Sequence, residues 1–178
     1  MGYWRKLQTK VLLEHPRVLV VEDDVLLPDG HQTQYLRYED LADYATVIAE
    51  HDGKIAFVQE YSYPLDTFLL QFPEGSFEQE EGVIEAAKRE LAEEAALKAQ
   101  TYSVIGKSPA HHRRETVFQY VLLAQDVSET ERKQGDIEEQ GIETVWIDKK
   151  EVMQKIATGE ITQKNALAAW SLYLATSA

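Results

Sequence analysis

The chain has 178 residues, 44% of them apolar and 28% charged, with 31 acidic against 18 basic side chains and a formal net charge of -13. This composition suits a globular domain of ordinary size and excludes a disordered chain. The negative field disfavours a nucleic-acid partner, and the absence of cysteine excludes disulfides, thiolate metal sites and thiol nucleophiles. The densest basic run is only His111-His112-Arg113-Arg114. No apolar run reaches membrane-spanning length, and the first fifteen residues are too polar for a signal peptide, so a cytoplasmic protein without a membrane partner is expected.

In chain order, Val18 to Leu27 reads as a strand, followed by a turn at Pro28-Asp29-Gly30 and a short partner strand at Tyr35 to Tyr38. Tyr44 to Ala49 and Lys54 to Tyr61 flank His51-Asp52-Gly53, where the Asp-Gly pair predicts a hairpin. Thr67 to Phe72 is a further strand, stopped by Pro73, and a loop bounded by Gly75 and Gly82 follows. From Val83 to Ala96 the spacing of Ile84, Ala87, Leu91 and Ala95 predicts an amphipathic helix. Tyr102 to Ile105 and Thr116 to Ala124 read as strands, Asp126 to Gly141 as an acidic loop, and Glu143 to Ile147 as the last strand. Helices are expected at Lys149 to Ala157 and Thr162 to Thr176. The pattern predicts an α+β fold with mixed α/β layers, in which helices enclose a mixed sheet.

The segment from Pro73 to Leu97 concentrates glutamates on the predicted helix. Glu90, Glu93 and Glu94 stand at i, i+3 and i+4, so Glu94 lies about 40° from Glu90 and Glu93 about 60° the other way. Two like charges about 4 Å apart cost roughly 4 kcal/mol at an effective dielectric of about 20, an upper-end figure for an exposed pair. A cation relieves that repulsion, and oxygen-only donors select hard ions such as Mg²⁺ or Mn²⁺. A solvated helix face, with Glu85 and Arg89 as an ordinary i,i+4 pair, explains the same residues when they are taken alone.

The residues upstream extend the pattern. Gly75, five residues, Glu81, seven residues, then Arg89-Glu90-Leu91-Ala92-Glu93-Glu94-Ala95-Ala96-Leu97 resembles the Nudix box, G-x5-E-x7-R-E-U-x-E-E-x-G-U, where U is a bulky aliphatic residue. One letter departs: Ala96 stands where the family has a helix-ending glycine. A slightly longer helix or a mildly strained cap is therefore expected. Beyond the box, Phe57 to Pro64, Leu70 to Gly75, Ser108-Pro109-Ala110 and Gly159 to Thr162 resemble the ADP-ribose pyrophosphatase branch, with Thr162 as a cap for the final helix. Ser62 replaces an arginine of that branch, Gln71 a glutamate and Ala110 a glycine.

The resemblance implies an α/β/α sandwich over 44–178 and a short N-terminal β extension over 1–43 that forms a homodimer. It implies a hydrolase that cleaves the pyrophosphate of a small nucleoside diphosphate derivative with Mg²⁺, or Mn²⁺ in its place. Glu90, Glu94 and Glu93 are then metal ligands, joined by the carbonyl of Glu74. Gly75 allows close approach of the loop, Arg89 orients the glutamates and Glu81 ties the loop to the helix. The resemblance puts the general base in the acidic loop, at Glu139 ahead of Glu138. Tyr61, Gln71 and Arg113 are substrate-binding candidates. The altered positions keep other sugar nucleotides, GDP-mannose-like ones included, beside ADP-ribose. Dinucleoside polyphosphates and a non-catalytic nucleotide-binding module are the alternatives.

Overall fold

The computed structural model describes residues 3–39, 41–133, 135 and 141–176. Their contacts divide the chain into two compact units, 1–42 with 109–117, and 43–108 with 118–178.

The first unit is an antiparallel three-stranded sheet of β1 (Arg5–His15), β2 (Val18–Leu26) and β3 (Gln32–Glu39), in that order. The partner strand expected at Tyr35 to Tyr38 is thus twice that length, and an eleven-residue strand precedes both. β1 is exposed along its length and carries Trp4, Leu7, Val11 and Leu13 on or just before it, each more than 40% exposed. One residue from each strand meets at Asp23, which is buried, accepts from Thr9 Oγ1 at 2.6 Å and pairs with Arg37. Arg37 holds the Asp23 carboxyl below its ordinary range. The basic stretch 111–114 belongs to this unit and lies along β3. Tyr38 N–H donates to Arg114 O (2.7 Å), Arg114 Nη1 donates to Leu36 O (2.9 Å), and the Tyr35 hydroxyl donates to Arg113 O.

The second unit is a mixed sheet between helices, the α+β layering expected from the sequence. Its strands are β4 (Tyr44–His51), β5 (Lys54–Ser62), β6 (Thr67–Gln71), β7 (Glu74–Ser76), β9 (Thr101–Pro109), β10 (Phe118–Gln125) and β12 (Glu143–Asp148). The path runs β12-β5-β4-β10-β9, with β6 paired to β5 and β7 to β4. β10 runs parallel to β4, while β5 is antiparallel to β4, β6 and β12. Asp52 and Gly53 both have positive φ, 47° and 73°, as the two-residue hairpin requires. A two-stranded pair, β8 (Leu97–Lys98) with β11 (Ser128–Glu129), lies apart from this sheet. The helices are α1 (Val83–Ala95), α2 (Val152–Thr158) and α3 (Lys164–Thr176), and a 3-10 turn spans Tyr63–Leu65.

Alternation along the strands sorts the core into two clusters. Ala45, Val47 and Ala49 of β4 and Ala56 and Val58 of β5 join Ala87, Leu91 and Ala95 of α1. Ile48 of β4 and Ile55 and Phe57 of β5 join Val152 of α2 and Ala166, Ala169, Trp170 and Tyr173 of α3. Further sequence expectations change, beside the longer β3 and the strand β11 inside the stretch read as an acidic loop. The stretch from Gly75 to Gly82 is not wholly loop, because Glu74–Ser76 pairs with Tyr44–Thr46. α2 begins at Val152 rather than Lys149, since Lys149 and Lys150 are held in the turn after β12 by bonds to Gly53 O and Asp148 Oδ1. α3 begins at Lys164, and Gln163 Oε1, not Thr162, accepts the Ala166 N–H.

Candidate active site

The site begins where the sheet forks. β4 and β5 pair only near their turn, from Ala49↔Ala56 to His51↔Lys54. Further out β5 takes β6 as its partner and β4 takes β7. The chain crosses from one prong to the other at Phe72 and Pro73, where Val47 N–H donates to Pro73 O at 2.8 Å. This crossing delivers Glu74 and Gly75 against α1. A Cβ built on Gly75 would lie 1.9 Å from Glu90 Oε1, so glycine is required by close approach.

On α1, Glu90 and Glu94 are buried at 3% and 4% exposure, and Glu93 is partly buried. Glu94 Oε2 accepts the backbone N–H of Glu74 at 3.0 Å. Arg89 grips Glu81 with two nitrogens, Nε at 3.0 Å and Nη2 at 2.9 Å. Its Nη2 also donates to Ser76 O at 2.8 Å, while Nη1 donates to Glu90 and, at 3.2 Å, to Glu93. One planar guanidinium therefore ties the loop to three glutamates. Arg89 holds the Glu81 carboxyl below its ordinary value, and Glu81, foremost among its partners, raises Arg89 in return.

The helix ends at Ala95, and Ala96 takes the left-handed conformation at φ 54° and ψ 38°, its N–H donating to Leu91 O. The strained cap, not the longer helix, is what the alanine produces. Other groups satisfy the end carbonyls: Arg132 Nη1 donates to Glu94 O (2.6 Å), and Thr144 Oγ1 donates to Ala95 O (2.8 Å). A cation at this end also opposes the helix dipole.

The Glu74 side chain turns away from Glu94 into a polar network. Its Oε2 accepts from Thr46 Oγ1 at 2.8 Å, and its Oε1 accepts from Gln163 Nε2 at 2.8 Å and Asn165 Nδ2 at 2.9 Å. Burial raises the Glu74 carboxyl above its ordinary value, and the three donors oppose that rise. Gln119 closes the network by donating to Thr46 Oγ1 (2.9 Å) and Asn165 O (3.0 Å).

Beside the crossing lies a cleft of about 700 Å³ lined by Glu60, Tyr61, Ser62, Tyr63, Pro64, Leu69 and Gln71. Gln71 Nε2 donates to Glu60, and the Tyr61 hydroxyl donates to Asp66 at 2.6 Å. Burial raises the half-buried Glu60 carboxyl above its ordinary value, opposed by the Gln71 bond. Among the described residues that line the cleft there is no Lys or Arg.

The fold thus gathers Glu74, Gly75, Glu81, Arg89, Glu90, Glu93 and Glu94 around one loop and one helix. It brings Tyr61 and Gln71 together in the cleft. Arg113 lies in the other unit, and Glu138 and Glu139 lie outside the described residues. Sequence reasoning missed Thr46, Gln163 and Asn165, which hold the Glu74 carboxylate, Arg132, which bonds the last carbonyls of α1, and Glu60, a carboxylate of the cleft. Glu60 sits one residue before Tyr61 in a strand already singled out, and that adjacency was its available signal.

Among the described residues, no three His, Cys, Asp or Glu side chains converge as a finished cation cage. Glu90 and Glu93 face the Arg89 guanidinium, and Glu94 faces the Glu74 N–H. The donor chemistry nevertheless fits a hard divalent ion. The donors are all oxygens, two of the carboxylates are buried on one helical face, and the Gly75 backbone lies against one of them.

Three similarities bear on this arrangement. The chain aligns with "ADP-ribose pyrophosphatase" of Bacillus subtilis (strain 168) at 24% identity, over 78% of this chain and 75% of the relative. It aligns with "Methanol dehydrogenase activator" of Bacillus methanolicus at 24% identity, over 93% of this chain and 89% of the relative. A solved structure described as "Crystal structure of ADP compounds hydrolase" superposes with a TM-score of 0.89 at 20% identity, covering 97% of this chain and 93% of the other, a likeness of fold. Residues 41–170 match the NUDIX domain family, and they contain the whole fork, loop and helix just described. The chain therefore belongs to the NUDIX domain family and is a Nudix hydrolase.

Proposed function

We propose that this protein hydrolyses the pyrophosphate bond of ADP-ribose or a related nucleoside diphosphate sugar, releasing a nucleoside monophosphate and a sugar phosphate. The observation that carries this reading is the pair of buried carboxylates, Glu90 and Glu94, held on one face of α1 against the backbone of Glu74 and Gly75. Glu90, Glu93 and Glu94, with the carbonyl of Glu74, are the groups to hold Mg²⁺, or Mn²⁺ in its place. A bound divalent ion supplies charge neutralisation to an anionic diphosphate and acidity to an attacking water. Arg89 keeps Glu90 and Glu93 oriented and ties them through Glu81 to the loop, which limits reorganisation during the reaction. Tyr61 and Gln71, with Glu60, line the cleft that receives the nucleoside or sugar. Glu139, or Glu138 in its place, serves as the general base that accepts the water's proton.

The similarity to the B. subtilis ADP-ribose pyrophosphatase supports the substrate class. The decisive experiment measures nucleoside monophosphate release from a panel of nucleoside diphosphate sugars and dinucleoside polyphosphates, with Mg²⁺ and with EDTA. Turnover of ADP-ribose or another sugar nucleotide, abolished by EDTA, is expected. Preference for dinucleoside polyphosphates would move the substrate class. Binding without turnover of any compound would identify a non-catalytic module.

The working form is a homodimer formed through the N-terminal strands. The exposed apolar side chains of β1 support it, and light scattering at micromolar concentration should return twice the mass of one chain. No helix among the described residues is long and apolar enough to cross a membrane. We place the enzyme in the cytoplasm, a location with which its lack of cysteine is compatible.

A further inference from the structure

The partly buried Glu74 side chain has no part in the chemistry above, yet it accepts three hydrogen bonds beside the loop. It is enclosed by Thr46 of β4, Gln163 just before α3, and Asn165 in the first turn of α3. All three are neutral donors. Burying a carboxylate among neutral partners carries a desolvation cost that an apolar residue of similar size avoids. Stability alone is therefore a poor reason for it. The backbone of the same residue does something else: its N–H holds Glu94 Oε2 at 3.0 Å, and the following glycine presses on Glu90.

We infer that the Glu74 side chain is a positioning residue that locks the loop backbone for metal binding, coupling the start of α3 to Glu94 and Glu90. This rests on the metal-site reading given above. The coupling is mechanical. Glu74 is the strand partner of Thr46, so its Cα is set by the β4–β7 register. The three side-chain bonds then fix its rotamer. With the Cα and the side chain both held, the peptides on either side of Glu74 are held too: the one before it carries the N–H that meets Glu94, the one after it carries the Glu74 carbonyl. Gln163 serves two masters: its amide nitrogen donates to Glu74, and its Oε1 accepts the Ala166 N–H at the start of α3. Gln119, fully buried, joins Thr46 to Asn165 and stops the ring of donors from opening. Glu94 and Glu90 are thus oriented through Glu74 by residues of β4, of β10 and of the start of α3.

The test is Mn²⁺ titration of the purified full chain, without substrate, by calorimetry or by loss of the free-ion EPR signal. Thermal unfolding in EDTA is recorded alongside. Glu74→Ala should weaken Mn²⁺ binding about 10-fold, and Gln163→Ala should weaken it in the same direction by about 3-fold. The double variant should bind no more weakly than Glu74→Ala, because both act through one side chain. Glu74→Gln, which keeps one acceptor, should recover part of the loss. A lower melting temperature with Mn²⁺ affinity unchanged would show a merely structural role and overturn the inference. Should Glu74→Ala fail to fold, the same criterion applies to Gln163→Ala, which keeps the carboxylate: unchanged affinity overturns the inference there too. Wild-type protein that takes up no Mn²⁺ would instead overturn the metal-site reading, and this inference with it.

Discussion

Two groups of carboxylates flank the same loop, and the fold stabilises them by opposite means. Glu81, Glu90 and Glu93 surround the Arg89 guanidinium, a cation with five donors in a planar fork. Glu74 is held by a hydroxyl and two amides, all neutral donors. The first arrangement neutralises charge and tolerates some movement, because Coulomb attraction falls slowly with distance. The second neutralises nothing, and it depends on three directed bonds that fail together when the geometry slips. The loop is thus gripped electrostatically from α1 and geometrically from β4 and the start of α3, which suits the ion and diphosphate proposed for it.

The comparison breaks most readily at Glu94, which meets the loop at the Glu74 backbone N–H. Glu94→Gln should lower kcat by at least about 100-fold while leaving thermal unfolding nearly unchanged, because it removes charge from the ion-binding face and keeps the shape. Near-normal turnover in a steady-state assay would remove Glu94 from the ligand set.

Arg89→Ala should have the next largest effect. It leaves three glutamates without their common cation, at a cost of about 2 kcal/mol for a partly exposed cluster. Mg²⁺ should restore more of the melting temperature to the variant than it adds to the wild type, since the ion replaces the lost charge. The sign with pH follows from Glu81, whose folded pKa lies below its ordinary 4.5. Its contribution is present above 4.5 and is lost as pH falls through the depressed value. The stability gap between variant and wild type, measured by denaturant unfolding, should therefore narrow as the solution is acidified below 4.5. A gap that widens would assign the effect to packing of the arginine stem.

The smallest effect is at the far end of α1. Ala96→Gly should stabilise the protein by about 0.5–1 kcal/mol, because Ala96 occupies the left-handed region that glycine enters without strain. Turnover should not change, as Arg132 and Thr144 continue to bond the last carbonyls. A lower melting temperature would mean that the Ala96 methyl contributes packing that outweighs its backbone strain.

Much of this was legible in the chain. The hairpin at Asp52-Gly53 was readable because a two-residue turn of positive φ accepts few residue pairs. α1 and its buried face were readable because Ala87, Leu91 and Ala95 repeat at the helical period. β7 was not, since three residues cannot display an alternation, and the two-residue strands β8 and β11 were not for the same reason. The late starts of α2 and α3 escaped because turn and capping bonds compete locally with helix, and propensity does not rank them.

The order of residues along the chain by itself determined the family motif, the two-sided sheet and the glutamates shared by one turn of α1, because each is a short-range pattern with a fixed period. Only the tertiary structure decided what grips the loop. Thr46, Gln163 and Asn165 stand 28, 89 and 91 positions from Glu74, and each is an ordinary polar residue in its own neighbourhood. Their meaning arises when the forked sheet and the start of α3 bring them to one carboxylate, an encounter that no local periodicity encodes.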